Sequence, residues 1–133
     1  MAELKALPPI ALNATDFAQL QRLANAAADR FPRTADFLAR EVERARVVDA
    51  AEAPQNLVKM GSEVEFRDDD TGKVRRVTLV YPHEADIDTN RISVLSPIGA
   101  ALIGLSVGQS IEWEGPAGGT RSLTILTVGA AAE

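Results

Sequence analysis

The chain of 133 residues contains no cysteine and only one histidine. The lack of cysteine excludes disulfide bonds, thiol nucleophiles and cysteine-ligated zinc. A single histidine leaves one candidate base for a hydrolytic triad, and no G-x-S-x-G motif accompanies it. No glycine-rich segment is followed by the helix and lysine of a phosphate-binding loop. We therefore expect no enzyme activity and no cofactor.

Long apolar runs and an excess of positive charge are also missing. No run reaches the ~18 apolar residues that span a bilayer, and the start, MAELKALPPIAL, lacks the basic and apolar regions of a secretory signal. The formal net charge of -5 disfavours nucleic acid, which binds basic stripes. We expect a cytoplasmic protein that contacts neither a membrane nor nucleic acid directly and whose partner is another protein.

Helical periodicity marks residues 1–53 as a short helical hairpin. Asn13 is suited to cap a first helix of about 17 residues, or about 25 Å at ~1.5 Å per residue. We expect this helix to end near Arg30, because Phe31 precedes Pro32 and a residue before proline avoids the α region.

A second helix is predicted to follow the turn, with Thr34 as its cap. Its apolar stripe consists of Leu38, Val42, Ala45 and Val48. Both helices have narrow, alanine-rich stripes, so the hairpin is expected to lean on the rest of the protein where the two join.

Residues 54–133 change to the period of two that is typical of β-strands. Val64 and Phe66 alternate with polar residues, a polar turn covers 68–72, and apolar residues return over 74–80. Further strands are predicted over 92–95, 111–114 and 123–128, and one short helix over 97–103. The fold class is therefore α+β, a helical hairpin followed by a twisted antiparallel sheet of four or five strands with one helix on its face.

The short helix has a sharply defined start. Ser96 is suited to the N-cap and Pro97 to the first helical position. Gly99 in the first turn lowers helix propensity by up to about 1 kcal/mol relative to alanine. Either the backbone packs closely on a strand at this point, or a partner's side chain approaches it.

Several motifs together identify a family resemblance. They are GSEVEF at 61–66, DTG at 70–72, PHEAD at 82–86 and SPIGAALIG at 96–104. Residues 54–133 resemble the C-terminal domain of the bacterial GreA/GreB transcript cleavage factors. The spacing, Tyr81–Pro82 and the short N-terminal segment resemble still more the regulators of nucleoside diphosphate kinase, shorter relatives of those factors. The resemblance implies an FKBP-like fold without prolyl isomerase activity.

The resemblance also implies a partner, RNA polymerase, bound at the rim of its secondary channel. In the Gre family a turn ending in Ser-Pro contacts a coiled coil of the largest polymerase subunit. The matching positions here are Leu95, Ser96, Pro97 and Ile98. The alternative is that Ser96 and Pro97 only cap a helix.

The predicted hairpin tip departs from the Gre pattern. Those factors carry a longer coiled coil whose paired acids help to hold Mg²⁺ at the polymerase active site. The tip here contains Asp29, Arg30, Arg33 and Asp36, without a D-x-x-E pair. A magnesium ion needs several oxygen ligands brought together, and acids beside arginines form local ion pairs more readily. We therefore expect no stimulation of transcript cleavage.

These features predict a non-catalytic transcription regulator that competes with Gre factors for RNA polymerase. The alternative is a regulator of nucleoside diphosphate kinase level or activity, acting by direct contact or through transcription. A prolyl isomerase is suggested by fold analogy alone, and 5% aromatic residues supply little for its pocket. His83 with the nearby acids Glu84, Asp86 and Asp88 is interpreted as a polar loop rather than a metal site.

Overall fold

A computed structural model describes residues 8–49, 56–114 and 119–129. Its helices and strands are, in chain order, β1 (Ala11–Asn13), α1 (Ala14–Ala27), α2 (Pro32–Arg44), β2 (Arg46–Val48), β3 (Glu63–Asp68), β4 (Val74–Val80), β5 (Arg91–Ser93), α3 (Pro97–Leu102), β6 (Ser110–Glu114) and β7 (Thr120–Gly129). None of the helices in these three ranges is long and apolar enough to cross a membrane.

The helical hairpin is built as its local signals predict, with two differences at the turn. Asn13 caps α1, since its side chain accepts a hydrogen bond from the Asp16 N–H at 2.8 Å. The helix has 14 residues and ends at Ala27, earlier than predicted. The prediction that Thr34 caps α2 is wrong. The helix starts at Pro32, because a proline is favourable at the first helical position, where no intrahelical N–H is needed.

The end of α2 also differs from the prediction. The sequence pattern places Ala45 and Val48 in the apolar stripe of this helix, but α2 ends at Arg44, Ala45 is its C-cap residue and Val48 lies in β2. β2 pairs in parallel with β1, Ala11 opposite Arg46 and Leu12 opposite Val47. The two strands form a small clasp at the base of the hairpin. Strands of three residues are too short for periodicity to reveal.

Five strands form the main sheet, in the order β5-β4-β3-β7-β6. The β3–β4 hairpin is confirmed, and β7 pairs in antiparallel fashion with both β3 and β6. The prediction of a wholly antiparallel sheet is wrong at one edge, where β4 and β5 are parallel. The chain between them returns along the edge before β5 begins, as a parallel pair requires. The α+β fold class is confirmed.

One hydrophobic core joins the hairpin to the sheet. Leu20 of α1 and Leu38 of α2 are fully buried and belong to the same cluster as Phe66, Leu102 and Leu123. Helix α2 contacts α3, which in turn contacts β6. The hairpin therefore leans on the sheet, as its narrow stripes predict, and the two parts bury their apolar surface together.

Candidate functional site

The turn before α3 is held by a compact set of hydrogen bonds centred on Ser93. The Ser96 hydroxyl donates to the Ser93 carbonyl at 2.6 Å and accepts from the Gly99 N–H at 3.1 Å. The Ser93 hydroxyl accepts from the Leu95 N–H at 2.9 Å. Ser96 therefore caps α3 as predicted, and it also ties the start of that helix to the end of β5.

The structure shows why position 99 is a glycine. A Cβ at this position would lie 2.1 Å from the Ser93 carbonyl oxygen, far inside van der Waals contact. Of the two explanations that the sequence allowed, close packing on a strand is therefore the one that applies. The glycine lets α3 sit directly against the backbone of β5, which fixes the position of the turn between them.

All four predicted docking residues lie together on this turn. Leu95, Ser96, Pro97 and Ile98 are each half-buried. Leu95 and Ile98 pack against the core with part of their surface and leave the rest accessible. The turn thus presents a small apolar surface around Pro97 on a backbone that has little freedom to move.

The predicted tip residues do not form a single site. Asp29, Arg30 and Arg33 are exposed around the turn between α1 and α2. Asp36 instead forms an ion pair with Arg40, one turn further along α2, at 3.1 Å. Phe31 is 50% exposed at the tip, and the Arg30 guanidinium lies 5.9 Å from the centre of its ring.

The loop that contains His83 forms two short 3-10 turns, Pro82–Glu84 and Ile87–Thr89. The His83 ring stacks on that of Tyr81, with centroids 6.5 Å apart and planes 13° from parallel. Asp86 accepts a hydrogen bond from the Asp88 N–H at 3.0 Å. Over residues 8–49, 56–114 and 119–129, no three acidic or histidine side chains are grouped to hold a metal ion.

The buried carboxyl group of Asp16 connects the hairpin to the segment that precedes β3. Asp16 is only 8% exposed, and burial raises the pKa of its carboxyl group even though the Met60 N–H donates to it at 3.1 Å. Burial raises the pKa of Tyr81 to about 12, with smaller contributions from the negative charges of Asp16 and Glu84. Asp16 and Glu84 are thus both close enough to affect the Tyr81 hydroxyl.

Sequence reasoning did not identify Ser93 as part of the site. Its carbonyl and hydroxyl oxygens organise the whole turn, yet the only local signal is a second serine three residues before Ser96. The turn of 68–72 is a structural feature, as its composition indicates. Asp68 pairs with Arg121, and Asp69 accepts hydrogen bonds from Ser122 and Thr124.

Comparisons with known proteins cover nearly the whole chain. Residues 53–130 match the family model for the GreA/GreB transcription elongation factor C-terminal domain, and residues 8–48 match the Rnk N-terminus model. The regulator of nucleoside diphosphate kinase of Escherichia coli K12 is 40% identical over 119 residues, which cover 90% of this chain and 88% of that protein. Transcription elongation factor GreA of Sinorhizobium medicae is 40% identical over 87 residues, which cover 65% of this chain and 54% of GreA.

Solved structures agree with these matches. A transcription elongation factor GreA/GreB from Nitrosomonas europaea superposes with a TM-score of 0.73 at 38% identity, covering 92% of this chain and 99% of that one. Gfh1 of Thermus aquaticus, at 20% identity and a TM-score of 0.51, shares the fold over 92% of this chain and 99% of its own. The chain therefore belongs to the GreA/GreB transcription elongation factor family and carries the N-terminal segment of its Rnk members.

Proposed function

We propose that this protein is a non-catalytic transcription regulator that binds RNA polymerase at the rim of the secondary channel. Leu95, Ser96, Pro97 and Ile98 contact the coiled coil of the largest subunit. The protein competes there with Gre cleavage factors and does not stimulate transcript cleavage itself. Residues 54–133 act as the docking domain in this proposal, and residues 1–53 as a short arm.

The rigid turn at Ser96 and Pro97 is the observation on which the docking proposal depends. Its backbone is held by the hydrogen bonds to Ser93 and by the close contact of Gly99. A preformed turn loses little conformational entropy when a partner binds. The accessible parts of Pro97 and its neighbours supply apolar contact, and sequence similarity to GreA supports the choice of partner.

The length and chemistry of the hairpin support the absence of cleavage. Helix α1 has 14 residues, which corresponds to about 21 Å at ~1.5 Å per residue. Cleavage factors of the Gre type need a longer arm and paired acids at its tip. Here Asp36 is engaged by Arg40, and Asp29 lies next to Arg30 in an exposed turn.

Binding to purified core RNA polymerase tests the docking site. Pro97→Asp introduces aspartate, which is also favourable in the first turn of a helix, but it replaces the apolar surface with a charge. We expect this change to weaken binding at least about tenfold, or ~1.4 kcal/mol. Val74→Ala, at an exposed position at the start of β4, serves as the control and should bind like the unaltered protein. Equal binding by Pro97→Asp would exclude the assigned site.

Backtracked elongation complexes test the rest of the proposal. The protein alone should leave the rate of transcript cleavage at its background level. Added in excess to a reaction that contains GreA, it should lower the cleavage rate, and Pro97→Asp should do so far less. Robust cleavage with the protein alone would contradict our interpretation of the hairpin tip.

A second candidate function is regulation of nucleoside diphosphate kinase, favoured by the similarity to the regulator of nucleoside diphosphate kinase of Escherichia coli. Direct regulation predicts a complex between the two purified proteins and a change in kinase activity without polymerase. Regulation through transcription predicts that kinase level in cells changes and that Pro97→Asp abolishes the change. The two outcomes distinguish a kinase-binding protein from a polymerase-binding one.

A further inference from the structure

The parallel pairing of β4 and β5 brings two connections to the same end of the sheet. Val80, the last residue of β4, lies opposite Ser93, the last residue of β5. The Val94 N–H then donates to the Val80 carbonyl at 2.9 Å. The segments that follow the two strands therefore leave the sheet at the same end. The one that contains Tyr81 and the one that contains Leu95 begin at neighbouring positions.

The segment after β4 then runs back along the outer edge of β5. Asp86 and Arg91 exchange both of their backbone hydrogen bonds, at 2.8 and 2.9 Å, in an antiparallel bridge. The bridge is isolated, and the residues before it form the 3-10 turn of Pro82–Glu84 rather than a strand. This turn contacts β5, the strand that ends at Ser93. Glu84 therefore belongs to a turn that packs on the strand from which the docking turn begins.

Both connections begin with a proline after an extended residue. Tyr81 has φ -73° and ψ 159°, and Ser96 has φ -82° and ψ 156°. Each proline occupies the start of a short helical turn, where its ring fixes the backbone. The stacking of His83 on Tyr81 further orders the first turn. Both rigid turns adjoin β5. We call their residues together the proline edge and define it as Pro82, His83, Glu84, Leu95, Ser96 and Pro97.

Charge on the proline edge is concentrated in one group. Residues 95–98 carry no charge. Glu84 is exposed and forms no ion pair with any residue of the described ranges. A single carboxylate near an uncharged, partly apolar turn favours a partner that presents a basic side chain next to an apolar patch.

We propose that Glu84 is a second contact of the docking surface, pairing with a lysine or arginine on the same polymerase coiled coil that contacts Pro97. This inference depends on the proposed function, because it assigns a residue and a charge to the partner at that site. The apolar turn supplies contact area, and the carboxylate selects the orientation of the coiled coil, since a like charge placed opposite it is repelled.

Three variants test the pairing in the binding assay with core RNA polymerase. Glu84→Lys reverses the charge, Glu84→Gln removes it with little change in shape, and Asp88→Lys makes the same reversal in the same loop. Asp88 is a matched control because it lies in the second 3-10 turn of the same loop, beyond the Asp86–Arg91 bridge in the chain. Both positions are exposed, so thermal unfolding should remain that of the unaltered protein.

We expect Glu84→Lys to weaken binding more than about tenfold, Glu84→Gln by about threefold or more, and Asp88→Lys by less than about twofold. Raising the salt from about 50 to 300 mM should weaken binding of the unaltered protein more than that of Glu84→Gln. If Glu84→Lys binds normally while Pro97→Asp does not, the pairing is wrong and the docking turn stands. If Glu84→Lys and Asp88→Lys weaken binding equally, the effect comes from long-range charge and the proposed local pair is wrong. If the unaltered protein does not bind, both proposals fail.

Discussion

The buried carboxylate of Asp16 accepts a hydrogen bond from the backbone N–H of Met60 at 3.1 Å. Asp16 lies in the first turn of α1, and Met60 lies in the segment that leads into β3. The contact spans 44 residues of sequence and joins the hairpin to the sheet at a point with little access to water. An ionisable group in this position couples the attachment of the hairpin to pH.

We predict that Asp16→Ala lowers the free energy of unfolding at neutral pH by about 1–3 kcal/mol, because the Met60 N–H loses its buried acceptor. Asp16→Asn keeps an oxygen acceptor and avoids burying a charge, so it should be neutral or stabilising. Urea unfolding of both variants measures the difference. A loss of stability in Asp16→Asn as large as that in Asp16→Ala would contradict this account.

The same residue predicts a pH dependence. Burial raises the pKa of Asp16 in the folded protein, so the folded state binds this proton more tightly than the unfolded chain. Its contribution to stability is present below the unfolded pKa and is lost as pH rises through the folded pKa. Asp16→Asn should therefore gain stability relative to the unaltered protein as pH rises from about 4 to 7. A constant difference over this range would show that the carboxyl group does not titrate with folding.

We predict that Gly99→Ala destabilises the protein by about 1–3 kcal/mol, because its methyl group has no space beside the Ser93 carbonyl. It should also weaken polymerase binding by displacing the docking turn. Gly119→Ala is the matched control, since a Cβ there meets no atom within 4 Å. Thermal unfolding and the binding assay measure the two effects. Equal stability of the two alanine variants would contradict the close packing of α3 on β5.

Leu38→Ala should destabilise the whole protein by about 2–5 kcal/mol, because the side chain is fully buried in the core shared by hairpin and sheet. Circular dichroism of the helices and fluorescence of Trp113, which packs against the same core, should report one coincident transition. Gln21→Ala, on the exposed side of α1, should stay within about 0.5 kcal/mol of the unaltered protein. Separate transitions would indicate that the hairpin unfolds independently.

The base of the hairpin contains a partly buried ion pair. Arg44 donates two hydrogen bonds of 2.9 Å to Glu41, which is 1% exposed, and a third of 2.5 Å to the Pro8 carbonyl. Arg44→Met should lower the free energy of unfolding by about 2–3 kcal/mol, somewhat less than for a fully buried pair, because Arg44 retains contact with water. Adding Glu41→Leu should recover much of this loss. Failure of the double change to recover stability would show that the Pro8 contact dominates.

Local chemistry explains why several elements were predictable. Asn13 and Ser96 cap their helices through their own side chains, as their residue types and positions predict. The alternation around Val64 and Phe66 shows directly which residues of β3 face the core. Each of these signals acts within a few residues, so the sequence displays it without knowledge of the rest of the chain.

Pairings between distant segments were not predictable in the same way. The β1–β2 clasp joins two stretches of three residues that carry no periodic pattern. The direction of β5 depends on how its preceding loop returns along the sheet edge. The role of Ser93 depends on that direction, because the end of the parallel β5 places its carbonyl against Gly99 and within reach of the Ser96 hydroxyl.

Local sequence patterns are enough to predict the α+β class, the cap at Ser96 and Pro97, and a hairpin with no paired acids at its tip. Capping, proline geometry and alternation are short-range effects that each segment carries with it. Only tertiary folding brings the hairpin and the sheet into one core and places the turns of Glu84 and Pro97 next to β5. Burial and strand pairing join residues that are far apart in the chain, and no local pattern records which partner each will meet.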